Sequence, residues 1–351
     1  MKDQGITRRN AMKLAGVAGL SLPAVASPAV ASPAGAADIA AEASGDVLAL
    51  VEKGDRRLAF FDAGSGRRLS DVELGDYPHE ITADRERRFA YVGHYGVEFA
   101  NVVGPGASAV FVVDLRARTL VRTIQLAPFN RIHGMGMDGQ NRLYALSEEK
   151  GVLLGFDTPI GTSPSRAVNT GAIKAHMFAI TRSGERAYVT GLLSHTVSMV
   201  RPYDAAIAPV TVTPGQLPES CCLSLDERTL YVGARKNPGV VAVDAYTMRV
   251  RNELRLPGTD PLRVYTVSND QLLVTDLANN AISMVSTQLR PIWTASLPGK
   301  PSAATLHPTK PLAYVSLLDT AQVAVLDLLR GRVLGTFATL RQPDASVVVT
   351  G

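Results

Sequence analysis

The sequence predicts an all-β fold: a seven-bladed β-propeller of four-stranded antiparallel blades, closed by pairing the C-terminal strand with the N-terminal blade. Three observations carry that expectation. A unit of roughly forty residues recurs seven times along the chain. Each unit contains four short β-rich runs divided by turn residues, with almost no helical periodicity. The two ends of the array are complementary fragments of one unit, as ring closure requires.

The units align on a pivot residue that opens an apolar run. Pivots fall at His79, His133, His176, Glu219, Arg263, Ser302 and Asp344, separated by 54, 43, 43, 44, 39 and 42 residues. Surface-loop insertions accommodate that spread at little entropic cost. Several pivots follow a proline, as in Tyr77-Pro78-His79, Leu217-Pro218-Glu219, Lys300-Pro301-Ser302 and Gln342-Pro343-Asp344.

The second strand comes next, written Ala90-Tyr91-Val92, Leu143-Tyr144-Ala145, Ala187-Tyr188-Val189, Leu230-Tyr231-Val232, Leu272-Leu273-Val274 and Ala313-Tyr314-Val315. A third strand closes on a polar turn at Asp62, Asp114, Asp157, Asp204, Asp244, Ser286 and Asp327. The fourth, such as Val250 to Leu256 or Val333 to Phe337, leads back to the next pivot. After Asp344 there is room for one strand only, whereas Asp46 to Leu74 supplies three strands without a pivot. Joining them makes one blade and removes two open sheet edges.

The stretch from His176 to Thr190, His-Met-Phe-Ala-Ile-Thr-Arg-Ser-Gly-Glu-Arg-Ala-Tyr-Val-Thr, resembles the repeat of the YVTN-type bacterial propellers, including the YncE-like exported proteins. The resemblance spans the chain after about residue 45 and implies the fold. For function it implies a range, from lactonases and lyases to nucleic-acid binders and plain interaction modules.

Residues 1–36 are expected to be a signal peptide and 37–45 a short linker, leaving 46–351 as a single propeller domain. Thr7-Arg8-Arg9-Asn10-Ala11-Met12-Lys13 resembles the twin-arginine export motif, with Ala34-Gly35-Ala36 as a cleavage site. No later segment approaches the length of a membrane span. The mature protein is therefore expected to be periplasmic or secreted. The signal also holds three of the chain's four net positive charges, which leaves +1 on the mature chain and no electrostatic support for nucleic-acid binding.

The two cysteines, Cys221 and Cys222, are adjacent on the inner strand of the fourth repeat. As strand neighbours they face opposite ways and read as small buried side chains, with a vicinal disulfide as the alternative in an oxidising compartment. There is no Cys-x-x-Cys-His haem motif, zinc-ribbon spacing or phosphate-binding glycine loop.

Strand direction turns the repeat into a candidate site. The chain enters each blade at the pivot, near the axis, and returns along the second strand, so the loop between strands two and three shares a face with the pivots. Five of the six histidines lie on that face, the exception being His307. The pivots are expected to ring the mouth of the central channel, where polar groups meet a ligand without first being buried. His79, His133, His176 and Glu219 could there hold one divalent metal such as zinc, manganese, iron or copper. A metal-free polar pocket and a filled channel are the competing readings. His79, His94, His195, Arg235 and Asp344 are candidate ligand-binding residues. The longest insertion, His94 to Ala109 with its Gly-Pro-Gly turn, reads as a lid.

Two functional classes stay open. One is a binding module that presents this face to a small polar molecule or a periplasmic protein. The other is an enzyme, lactonase- or lyase-like, in which His133 or His176 moves a proton, Glu219 orients it or binds a metal, and Arg263 holds an anionic oxygen. No Ser/His/Asp spacing supports a nucleophilic hydrolase.

Overall fold

The computed structural model describes residues 45–351. The expected signal peptide and nearly all of the linker lie outside the described residues. Within them the chain forms seven four-stranded antiparallel sheets in a ring. Blades are numbered here by their pivots, from His79 in blade 1 to Asp344 in blade 7.

Blade 7 is the clasp. Its inner strand, Pro343–Val349, pairs antiparallel with Val47–Glu52, placing Leu48 opposite Val348 and Leu50 opposite Ser346. Arg57–Asp62 and Arg68–Glu73 complete the blade. The pairing leaves no unpaired inner edge at the join, which is the reason a chain of open repeats closes into a ring.

Strands in the middle of each blade read as continuous apolar runs because both of their faces are covered. Ala49, Val51, Leu58 and Phe60 pack against Ile81, Ala90, Val92 and Phe111 of blade 1. The alternate residues Leu48, Leu50, Ala59 and Phe61 pack against Tyr314, Val323 and Val325 of blade 6. Period-two alternation therefore sorts one strand between two neighbouring blades, not between core and solvent.

Two backbone devices recur where the chain enters the channel. Residues two positions before the pivot adopt the left-handed conformation in five blades: Tyr77, Arg131, Lys174, Leu217 and Gln342, with φ between 48° and 59°. None is glycine, so each costs about 1 kcal/mol or more and is held by its surroundings. Next, the pairing of every inner strand with its neighbour shifts register at the pivot, between Ile132 and Met135, Ala175 and Phe178, or Pro218 and Ser220, for example. A bulge bends the strand and re-aims the side chain it carries. Here it turns the pivot toward the axis.

Small hydroxyl residues secure those bulges from the second strand. Thr190 Oγ1 accepts the Met177 amide at 3.0 Å, and Thr275 Oγ1 accepts the Arg263 amide at 3.0 Å. Ser316 Oγ donates to the Asp344 carbonyl at 2.6 Å. These groups are buried and satisfy backbone atoms that the register shift leaves out of the ladder.

Candidate functional site

All seven pivots line one cavity of about 690 Å³ at the channel mouth. They are buried, His133 being only 1% exposed, so the expectation of a ring of solvated side chains is corrected. The bulges carry the pivots inward, and the loops above them, including Phe99 to Asn101 of the long insertion, cover the mouth. Burial makes every unpaired charge here expensive, and the pairings decide what the site can do.

His176 is held between two carboxylates. Its Nδ1 lies 2.8 Å from Glu148 Oε1 and its Nε2 lies 2.9 Å from Glu219 Oε1. Each nitrogen faces an acceptor, so both carry protons and the ring is an imidazolium. Burial alone would lower its pKa, but Glu219 and Glu148 outweigh burial and raise it to about 9. Burial pushes the Glu219 carboxyl up, and the opposing charges of His176, Arg263 and Arg235 bring it down to about 2. Tyr95 Oη donates to the other Glu148 oxygen at 2.7 Å.

His133 stands next to His176, with ring centroids 3.8 Å apart, and 4.3 Å from His79. Neither of its nitrogens has a hydrogen-bond partner among the described residues. Burial, followed by the repulsion of His176, His79, Arg263 and Lys53, drives its pKa well below the ordinary imidazole value. The ring is neutral, offering one donor and one acceptor.

The opposite wall is a second charged cluster. His79 Nδ1 lies 2.5 Å from Asp344 Oδ2, and Lys53 Nζ lies 3.9 Å from the same oxygen. Burial lowers the pKa of both His79 and Lys53 against the pull of Asp344. Asp344 is held well below the usual carboxylate range, because His79, Lys53 and Arg263 overcome its burial. Arg263 reaches across the channel from blade 5 and donates Nη2 to Glu80 Oε1 of blade 1 at 2.5 Å, while its Nη1 has no partner among the described residues. Arg235 grips Asp260 with two bonds of 2.6 Å and stands 3.5 Å from Glu219.

Among the described residues, two groups of side chains could hold a metal ion, His79 with Glu80 and His133, and His133 with Glu148 and His176, their donor atoms lying within 4.8 Å of one another. Glu219, expected among the ligands, is in neither group and is engaged by His176 and Arg235. Using His176 as a ligand requires removing a proton from its imidazolium.

Of the expected site residues, His79, His133, His176, Glu219, Arg235, Arg263 and Asp344 come together in the cavity. His94 and His195 do not. The His94 ring packs on Phe111 at 4.8 Å, within the first blade. His195 occupies the left-handed position of a hairpin, at φ 58°, and its Nδ1 accepts the Leu217 amide at 3.2 Å. Both share the face of the molecule without facing the axis.

Sequence reasoning passed over Glu80, Arg131 and Lys174. Glu80 follows a pivot, where simple alternation would turn it away, and the bulge defeats that rule. Arg131 and Lys174 share the left-handed position before a pivot, a periodicity that could have been read. Arg131 sends its fork into the long loop, to Val102 O at 2.5 Å, Gly104 O at 2.7 Å and Ala100 O at 3.3 Å. Lys174 Nζ donates to Ala100 O as well. The expected lid is thus tied over the cavity.

No family model matches the chain, and neither does any curated protein. Solved structures do. The periplasmic gluconolactonase of Pseudomonas aeruginosa is 17% identical with a TM-score of 0.68, over 87% of this chain and 98% of that one. A protein from Lactobacillus plantarum is 15% identical with a TM-score of 0.70, over 87% and 99%. The dihydro-heme d1 dehydrogenase NirN, in complex with DHE, is 13% identical with a TM-score of 0.60, over 89% and 67%. At such identities the likeness shows the fold alone, and its bearers differ in chemistry.

Proposed function

We propose that this protein binds a small polar molecule in the cavity at its channel mouth, with His133 as the group that recognises it. The observation that carries this reading is the pair of unpartnered nitrogens on a buried imidazole that lines a 690 Å³ cavity. That volume falls in the range of small-molecule sites, and convergent polar groups in such a pocket are the usual mark of one. The site suits an exported protein that meets a small solute. Among the described residues no helix is long and apolar enough to cross a membrane, and one structural neighbour is named periplasmic.

One observation favours a second reading, hydrolysis of a lactone or similar ester. Adjacent imidazoles with pKa values driven apart are the arrangement that separates base from charge stabiliser. Neutral His133 would take a proton from the attacking water, while Arg263 Nη1 and the His176 charge stabilise the oxyanion formed at the carbonyl. The gluconolactonase neighbour supports this reaction class, though not a particular substrate.

Thermal-shift screening of small oxygenated compounds and lactones tests both readings, using the wild type and His133→Phe. The reading expects compounds that raise the wild-type melting temperature to lose that effect in the variant, and any lactone turnover to fall by about a hundredfold or more. Equal stabilisation of both proteins by the same compounds would place binding elsewhere.

A further inference from the structure

The cavity is not uniformly polar. Its floor carries donors that lack acceptors among the described residues: the protonated nitrogen of His133, Arg263 Nη1, and Lys53 Nζ, whose ion-pair oxygen on Asp344 is 3.9 Å away, too far for a hydrogen bond. All three residues are at least nine-tenths buried. The two carboxylates that line the cavity, Glu219 and Asp344, are already taken up by His176 and His79. The rest of the lining holds Lys174, Arg235 and Asn101 and, in contrast to the floor, a set of leucines. Leu192, Leu262, Leu277 and Leu318 line the cavity, as do Leu193 and Phe99, both more than 40% exposed.

We infer that the cavity selects a small molecule with a carboxylate at one end and an apolar body at the other, the carboxylate seated on Arg263, Lys53 and His133 and the body against the leucines. The inference rests on the proposal that this cavity is a ligand site and specifies its ligand. A carboxylate presents lone pairs to several donors at once, and so supplies the acceptors that Arg263 Nη1, Lys53 Nζ and the His133 N–H lack among the described residues. A cation would be seated against Arg263 and Lys53, whose charges repel it. A wholly polar molecule would leave the leucines in contact with water.

Three probes of one shape separate the contributions: octanoate, its neutral counterpart octanamide, and octylamine, each titrated calorimetrically into the whole protein at neutral pH. Octanoate is expected to bind at least about tenfold more tightly than octanamide, with octylamine the weakest. Lys53→Met is expected to remove most of the preference for octanoate while leaving the affinity for octanamide nearly unchanged. Because Lys53 is buried, Arg263→Lys provides an independent route. It keeps a charge beside Glu80, loses the second guanidinium nitrogen, and is expected to narrow the same preference.

Octanamide or octylamine binding as tightly as octanoate would overturn the carboxylate assignment and leave the ligand site standing. So would a preference that survives in both folded variants. Binding of none of the three would overturn the assignment and the ligand site together.

Discussion

His133 and His176 stand 3.8 Å apart, centroid to centroid, the first ring neutral and the second positively charged. His176 is clamped by Glu148 and Glu219 at both nitrogens, and His133 has no partner at either among the described residues. The protein thus holds a fixed positive charge beside a free neutral imidazole at one end of its channel. That contrast comes from what the neighbouring blades present. Blade 4 offers a carboxylate at its pivot to His176, whereas His133 lies between two other histidines.

The pairing of His176 ties stability to pH. Its folded pKa, about 9, lies above the ordinary value of 6.5, so the stabilising proton is fully in place below about pH 6.5 and is lost as pH rises through 9. The contribution amounts to roughly 3 kcal/mol at most, and the depressed Glu219 reports the same interaction, so the two are not added. Urea unfolding of the wild type between pH 6 and 10 is expected to lose stability relative to His176→Gln. A constant difference between the two proteins across that range would contradict the assignment.

The long loop depends on the shape of the Arg131 side chain. Arg131→Lys keeps the charge but cannot reach Val102, Gly104 and Ala100 together, because lysine lacks the planar fork. Hydrogen exchange of residues 99–104 is expected to speed up severalfold while the rest of the propeller is unchanged. Unaltered exchange in this segment would show that Lys174 and Gln342, which also bind the loop, suffice to hold it.

Blade packing reaches the site through Gly93. A Cβ at this position would lie 2.6 Å from the carbonyl oxygen of Ile132, the residue before His133. Gly93→Ala is expected to destabilise the protein by about 1–3 kcal/mol and to disturb ligand binding. The equivalent change in blade 4, Gly233→Ala, brings a Cβ to 3.1 Å from Pro261 O and is expected to cost less. Chemical denaturation of both variants checks the order.

Architecture was legible in the sequence because repetition over-determines it. The recurring Tyr-Val strand, the polar turn and the unmatched ends at Asp46 and Asp344 each imply the ring, and Leu48 pairs with Val348 as closure requires. Axial convergence of the pivots was legible for the same reason. What lay beyond reach was the direction of single side chains. His94 and His195 share the face of the pivots, yet the first ends a regular strand and the second a hairpin, so neither has a bulge to turn it inward. The partners were hidden too. Glu148 lies in a loop that the sequence places on the pivot face, but its pairing with His176 does not show there, Glu80 sits where alternation misleads, and only the folded ring shows that His176 is charged and His133 is not.

The account stands most directly on the protonation of those two rings, which nitrogen-15 chemical shifts of labelled histidine report. Spectra recorded from pH 5 to 9, assigned with His133→Phe and His176→Gln, should show His176 with both nitrogens protonated through neutrality and His133 neutral down to the acid end of the range. Two rings titrating together near 6.5 would contradict the clamp, the neutral imidazole and the ligand site built on them.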